Sequence, residues 1–189
     1  MYNIQYQYTH DIDWFFLLGE QPIHCASNGG RIPNIYRAID LQNLQVEVEA
    51  KAPSRRFVLN KASIERHVRE HYQGIEEDYL RRHGLPELVK EIDYDNDTPI
   101  WMKAYSWSFV KMAQRGFFSF DRDAKMGSYF LVASPVDFTE FHGYVCEMMY
   151  KLPENECPFD SILSDRQTYH EPINFVSVIE GYERKIRNK

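Results

Sequence analysis

Residues 117–133 carry the sequence FFSFDRDAKMGSYFLVA. Two apolar runs, 117–120 and 129–133, flank a polar segment that includes Gly127. Short apolar runs separated by a polar turn are typical of two paired antiparallel strands. The stretch therefore predicts a β-hairpin, and it is one of two hairpins that decide the fold class.

The second predicted hairpin covers residues 12–26, which read IDWFFLLGEQPIHCA and contain turn-forming residues at 19–22. Alternation of polar and apolar residues, or a short apolar run, predicts a strand at several other places along the chain. These further strands are expected over 3–8, 46–50, 57–59 and 175–179.

Two longer segments, 62–83 and 99–116, have the three- and four-residue apolar spacing of an amphipathic helix, whereas 138–150 fits both periods. Strands and helices do not alternate one for one, so we predict an α+β fold. Its mainly antiparallel sheet is built from hairpins, with two principal amphipathic helices packed on it. We expect a single domain over 1–189, with a weak candidate boundary at the acidic loop 93–98.

The composition excludes several classes of protein. Aromatic residues make up 15% of the 189 residues, which argues against a wholly disordered chain. The formal net charge of −6 lacks the positive footprint of a nucleic-acid-binding protein, so we expect no nucleic-acid partner. Three cysteines without a CxxC pair indicate a reduced compartment. The longest apolar run is too short for a signal peptide or a membrane span, so we predict a cytoplasmic protein without a membrane partner.

The pentad HVREH, residues 67–71, matches the H-x-x-E-H pattern. Histidines four residues apart share one face of a helix, so His67 and His71 can ligate one zinc ion. Glu70 can then act as the general base on a metal-bound water, and Glu140 or Glu147 is a candidate third ligand. The competing interpretation is an amphipathic surface helix without a metal. A zinc-dependent hydrolase is therefore kept as the alternative function.

A second group of polar residues lies in and before the first hairpin: His10, Asp11, Asp13 and His24. Their nitrogen and oxygen atoms suit a divalent metal, and a His–Asp couple can also act as a general base with its orienting partner. The competing interpretation is that the two aspartates cap a turn and that His24 is a half-buried, hydrogen-bonded histidine.

The loop SNGGR, residues 27–31, gives the main functional hypothesis. Consecutive glycines let backbone N–H groups converge on an anion, and Arg31 can add a charge-assisted bond; a plain tight turn is the competing interpretation. We predict a non-catalytic binding module for a small anionic ligand or a protein partner, with no cofactor. The expected site residues are Ser27, Asn28, Gly29, Gly30 and Arg31, together with His24 and Asp13.

The aromatic residues cluster in three segments, 14–16, 101–109 and 117–120. Residues 101, 105 and 107 cannot all share one helical face, so part of this surface is expected at an interface. We therefore expect a homodimer, and a structural homodimer subunit is a second alternative function.

Overall fold

The computed structural model describes residues 4–37, 40–53, 56–69, 72, 82, 87–137 and 144–189. Within these ranges, six strands form one sheet. The strands are Asp13–Leu18 (β1), Gln21–Ala26 (β2), Phe57–Leu59 (β3), Phe118–Arg122 (β4), Tyr129–Pro135 (β5) and Tyr150–Leu152 (β6). Their order across the sheet is β3-β5-β4-β2-β1-β6.

Both predicted hairpins are confirmed, since β1 pairs with β2 and β4 pairs with β5 in antiparallel register. The pair β3–β5 is also antiparallel, but β1–β6 and β2–β4 are parallel. The sheet is therefore mixed, and the prediction of a mainly antiparallel sheet made from hairpins was too simple. Strand periodicity reports which residues face each side, but it does not report which distant strand is the neighbour.

Helices are more numerous than the two that were predicted, although the α+β class is confirmed. Residues 61–69 (α3) are helical, which agrees with the start of the predicted 62–83 helix, and the predicted 99–116 helix is also present. The other helices are Ile4–Thr9 (α1), Leu41–Glu49 (α2), Glu87–Lys90 (α4), Ile100–Gln114 (α5), Tyr144–Met148 (α6), Asp160–Ser164 (α7) and Phe175–Arg187 (α8). Short 3-10 helices cover Asn34–Arg37 and Glu154–Glu156.

Three of the predicted strands are helices because local capping and packing override the alternating pattern. In α1 the Thr9 hydroxyl donates to the carbonyl of Gln5. The α2 helix begins after Asp40, whose carboxylate accepts the amide of Asn43 at 3.2 Å. The α8 helix begins after Asn174 in the same way. In α2 and α8, a capped first turn fixes the helix start that the strand interpretation had missed.

The sheet is covered on both faces. In β5, Tyr129 and Leu131 belong to one apolar cluster, whereas Phe130 and Val132 belong to another, as expected for side chains that alternate across a strand. Helices α2 and α8 contribute to the first cluster, and α3 and α5 contribute to the second. We call the corresponding sides the α8 face and the α5 face.

The acidic loop 93–98 lies against α3 through ion pairs from Lys61 to Asp95 and Asp97. The single-domain organisation stays a prediction. No helix in the ranges given above is both long and apolar enough to cross a membrane.

Candidate functional site

The candidate site lies where β2 and β4 end. Because these strands are parallel, Ala26 and Asp121 are register partners at the same edge of the sheet. The loop 27–31 leaves β2 at this edge, and the polar turn 123–128 leaves β4 beside it. Crevices beyond the carboxyl ends of parallel strands are frequent ligand sites in α/β sheets.

The loop 27–31 is shaped by two consecutive residues in the left-handed region, Asn28 (φ 43°) and Gly29 (φ 66°). The amide of Asn28 donates to a carboxylate oxygen of Asp11 at 2.7 Å, and the Ser27 hydroxyl donates to the same oxygen at 3.4 Å. The amide of Gly30 donates to the Ser27 carbonyl at 2.7 Å. The corner formed by Ser27 and Asn28 therefore binds a carboxylate of the chain itself, that of Asp11.

Arg31 does not face this corner. Its guanidinium forms an ion pair with Glu180 of α8, and 42% of its side chain is exposed. The prediction placed Arg31 as the charged clamp of the loop; in the structure it links the loop to the C-terminal helix.

Arg122, at the end of β4, is the cation that lies against the loop. A Cβ atom added at Gly30 would be 2.4 Å from its Nε atom and 2.5 Å from its Cζ atom, so only glycine allows this approach. On the other side, a Cβ atom at Gly127 would be 3.4 Å from a terminal nitrogen. Within the part of the chain that the structure describes, this half-buried guanidinium has neither an ion pair nor a hydrogen-bond acceptor.

Sequence analysis missed Arg122 because its position depends on the pairing of β2 with β4, which lie about 95 residues apart in the chain. One sequence signal was present. Arg122 comes two residues after a predicted buried strand, 117–120, and residues near strand ends often reach ligands.

The predicted residues Asp13 and His24 belong to a row of polar side chains on the α5 face. His24 contacts Asp13 through Nε2 at 3.1 Å and Ser119 through Nδ1 at 2.7 Å. Burial acts to raise the pKa of Asp13, but the charge and hydrogen bond of His24 outweigh it, so the pKa is lowered. The Asp13 carboxylate accepts from Nε2 of His24, and Nδ1 of the same ring is hydrogen-bonded to the Ser119 hydroxyl.

This row has the hydrogen-bond order of a Ser–His–Asp triad, yet it is oriented the wrong way for nucleophilic catalysis. Ser119 is wholly buried, whereas Asp13 exposes 30% of its side chain. A triad needs an accessible serine and a buried carboxylate. The row therefore orients Asp13 rather than activating Ser119.

A second buried pair lies beside the row. Tyr105 of α5 donates to Asp121 at 2.6 Å, and the backbone amide of Arg122 donates to the other carboxylate oxygen at 2.7 Å. Burial raises the pKa of Asp121 to about 7 despite these hydrogen bonds, and the nearby charge of Asp11 adds to the increase. Asp121 is therefore largely protonated at mildly acidic pH.

The group His10, Asp11, Asp13 and His24 is not assembled as a metal site. The His10 ring stacks on Tyr6 with centroids 3.8 Å apart, and Asp11 is held by the loop. Among the residues that the structure describes, no three His, Cys, Asp or Glu side chains are close enough together to hold a metal ion.

His67, from the H-x-x-E-H pentad, lies on α3 at the same end of the sheet. Its Nδ1 atom contacts the Asp123 carboxylate at 2.7 Å, and its ring stacks on Phe130 with centroids 4.4 Å apart. Its Nε2 atom is buried without a hydrogen-bond partner among the described residues. Glu70, His71 and Glu140 lie outside the described residues, so the pentad stays a prediction.

A surface depression of about 850 Å³ lies elsewhere, over residues 154–160. It is wide and shallow, and three of its lining residues are acidic: Glu154, Glu156 and Asp160. It shares no residue with the site at the ends of β2 and β4, and we assign it no chemistry.

No protein-family model, curated protein or solved structure matches this chain. The function proposed for it therefore rests on its own residues and their geometry.

Proposed function

We propose that this protein is a binding module for a small anionic ligand, without catalysis of its own. The single observation that carries the proposal is the Arg122 guanidinium, which lies half-buried against Gly30 and has no partner among the described residues. A guanidinium presents its donors in a planar fork that matches a carboxylate or phosphate. A positioned and unpaired fork is therefore suited to an external anion.

The loop 27–31 supports this assignment as the second half of the site. The amides of Ser27, Asn28 and Gly30 are used internally, whereas those of Gly29 and Arg31 have no acceptor in the described part of the chain. Because Asp11 occupies the Ser27–Asn28 corner, an external anion is expected on the Arg122 side of the loop. Asp13 and His24 face the α5 side of the sheet, whereas Arg122 faces the α8 side with its register partner Tyr129, so the proposal gives Asp13 and His24 no contact with the ligand.

The expected role of Arg31 changes accordingly. In the proposal, Arg122 supplies the charge that sequence analysis gave to Arg31, and Arg31 holds the loop against α8 through Glu180. The orientation of the Ser119–His24–Asp13 row supports a binding function rather than a hydrolytic one, since its serine is inaccessible.

The proposal is tested with a variant of Arg122 and a matched control variant of Arg31. We expect isothermal titration calorimetry with inorganic phosphate and benzoate to detect binding to the wild-type chain. Arg122→Gln should lose it, because the charge-assisted bonds are removed. The matched control Arg31→Gln should retain it, since that side chain is already bound to Glu180. Equal affinity in the wild type and Arg122→Gln would overturn the proposal.

The same preparation separates the remaining alternatives. A protein partner and a homodimer both stay predictions. Light scattering measures the oligomeric state directly and so tests the homodimer. If no anion binds and the chain is a stable dimer, the structural-subunit hypothesis replaces the binding module.

A metal-dependent hydrolase is a second candidate, and one observation favours it. Metal-bound histidines usually donate their other ring N–H to a carboxylate, and His67 has this arrangement with Asp123 while its Nε2 atom lacks a partner. Elemental mass spectrometry of protein purified without added metal tests it. Near one zinc per chain, lost in His67→Ala, would support this candidate in place of the binding module; no metal in the wild type would contradict it.

A further inference from the structure

His67 of α3 contacts the turn 123–128, which follows β4 and flanks the candidate site. Its Nδ1 atom is 2.7 Å from a carboxylate oxygen of Asp123, the first residue of this turn. An ionised carboxylate only accepts hydrogen bonds, so Nδ1 is the donor. The two side chains are only 9% and 15% exposed, so water competes little for this hydrogen bond.

Asp123 is the residue on which the turn is built. Its second carboxylate oxygen accepts the backbone amides of Lys125 and Met126 at 2.8 and 2.9 Å, and its carbonyl accepts the amide of Gly127 at 2.8 Å. Burial acts to raise the pKa of Asp123, but the amides of Met126 and Lys125 and the hydrogen bond from His67 outweigh it, so the pKa is lowered. The carboxylate is therefore ionised at neutral pH.

The far end of this turn lies against the guanidinium of Arg122. A Cβ atom added at Gly127 would be 3.4 Å from a terminal nitrogen of Arg122, and one added at Gly30 would be 2.4 Å from its Nε atom. The guanidinium is thus confined by the turn and by the loop 27–31. Gly127 has a φ of 70°, and the hydrogen bond of its amide to Asp123 helps to fix this conformation. A shift of the turn would therefore remove one of the two contacts that place the guanidinium.

We infer that His67 is a positioning residue for Arg122: it fixes Asp123, Asp123 fixes the turn 123–128, and the turn fixes the guanidinium. This inference rests on the proposed function and adds a residue to the same site. His67 does not touch the ligand in this arrangement, because it packs on the α5 face whereas Arg122 lies on the α8 face.

The ring of His67 also stabilises the fold, and this contribution is separate from its hydrogen bond. The ring stacks on Phe130 and on Tyr169, with centroids 4.4 and 5.9 Å away. Any substitution that removes the ring should lower the melting temperature, whether or not it keeps a donor. The melting temperature therefore does not report on positioning, whereas the ligand affinity of a variant that keeps the donor does.

Two substitutions of His67 separate the donor from the ring, with benzoate affinity measured by isothermal titration calorimetry. His67→Ala removes both, and we expect the affinity to fall about three- to tenfold. His67→Asn removes the ring but keeps an N–H donor, because the side-chain nitrogen of asparagine is bonded to Cγ as Nδ1 is in histidine. We expect its affinity to stay close to that of the wild type, although its melting temperature falls.

Lys61→Ala is the matched control on the same helix. Lys61 ties α3 to the acidic loop 93–98 through ion pairs with Asp95 and Asp97 at 3.3 and 2.7 Å. The substitution removes a polar contact of α3 that does not involve the turn 123–128. Benzoate affinity should therefore equal that of the wild type.

A double-mutant cycle tests the route through Asp123. Asp123→Ala removes the acceptor and should weaken benzoate binding at least as much as His67→Ala does. In the Asp123→Ala background, His67→Ala should cause no further loss of affinity, because both substitutions act on the same turn. Independent, additive losses would overturn the proposed route.

The outcomes separate this inference from the proposed function. If Arg122→Gln loses benzoate binding but His67→Ala binds like the wild type, the positioning role is wrong and the binding module stands. The role is also wrong if His67→Asn loses as much affinity as His67→Ala. If His67→Ala is too unstable to measure, Asp123→Ala decides: a loss of affinity supports the inference and wild-type affinity overturns it. If the wild type does not bind benzoate, the proposed function fails and this inference fails with it.

Discussion

Replacing Gly30 with alanine should move the Arg122 side chain without changing its charge, so this substitution tests whether the position of the guanidinium matters for binding. The new Cβ atom would lie 2.4–2.6 Å from Nε, Cζ and Cδ of Arg122, whereas carbon atoms in contact are normally about 3.5–4.0 Å apart. The guanidinium must therefore move by about 1 Å or more. Gly30 is not among the residues with positive φ, so the alanine backbone is unstrained.

We expect Gly30→Ala to have a small effect on the free energy of unfolding and a larger, unfavourable effect on ligand binding. Unstrained Gly→Ala substitutions raise the free energy of unfolding by about 0.4–1 kcal/mol, because they restrict the unfolded chain. The contact with Arg122 reduces this gain but is relieved by rotation of a long side chain. Misplacing a charge-assisted donor should cost about 1.5–3 kcal/mol of binding free energy, which is roughly a 10- to 100-fold loss of benzoate affinity.

Urea denaturation and isothermal titration calorimetry measure the two quantities on the same preparation. Gly181→Ala is the control, since nothing lies within 4 Å of a Cβ atom at this position on α8. We expect Gly181→Ala to keep the wild-type affinity. If Gly30→Ala also binds benzoate like the wild type, the position of Arg122 is irrelevant to binding and the reasoning is refuted.

Three further predictions concern stability. Burial raises the pKa of Asp121 from 3.8 to about 7. Between these two values the folded state keeps a proton that the unfolded state has lost, so the stability of the wild type should fall as the pH rises from about 4 to about 7. Asp121→Asn should remove that fall, which is on the order of a few kcal/mol, as measured by urea denaturation across this range. The pKa of Asp13 is lowered in the folded state, so its ionised carboxylate contributes to the free energy of unfolding above pH 3.8, and this contribution is lost below it. Asp13→Asn should therefore lower the melting temperature at neutral pH, and an unchanged melting temperature there would contradict this. Asn174→Ala removes the acceptor for the Ser177 amide and should cost about 1 kcal/mol of unfolding free energy, and a loss below the experimental error would exclude this cap as a source of stability.

Much of the fold could be predicted from the sequence where apolar runs are long or lie beside a turn. Both hairpins, the strand at 57–59 and the helix α5 were predicted for this reason. The helices α2 and α8 were missed because short alternating segments were interpreted as strands, although each helix is preceded by a capping residue, Asp40 and Asn174. Capping signals therefore carried more information here than two-residue alternation did.

The candidate site could be located only in part from the sequence, for a related reason. The loop 27–31 has a local signature, since adjacent glycines can be recognised without knowledge of the fold. The arginine that lies against this loop could not be identified from the local sequence, because only the folded structure shows which arginine contacts Gly30. The parallel pairing of β2 with β4 brings Arg122 to Gly30, and the packing of α8 brings Glu180 to Arg31. Both facts depend on contacts between distant parts of the chain.

The distribution of charge at this edge of the sheet supports the proposed anion site in a chain that is acidic as a whole. The four aspartates here are each engaged: Asp11 by the loop amide of Asn28, Asp13 by His24, Asp121 by Tyr105, and Asp123 by His67. Asp121 is also partly protonated near neutral pH, so it contributes less negative charge than its composition implies. Arg122 has no corresponding partner in the described residues. The local field that a ligand meets at Gly30 is therefore set by the guanidinium at short range, because the nearby carboxylates are neutralised or already hydrogen-bonded.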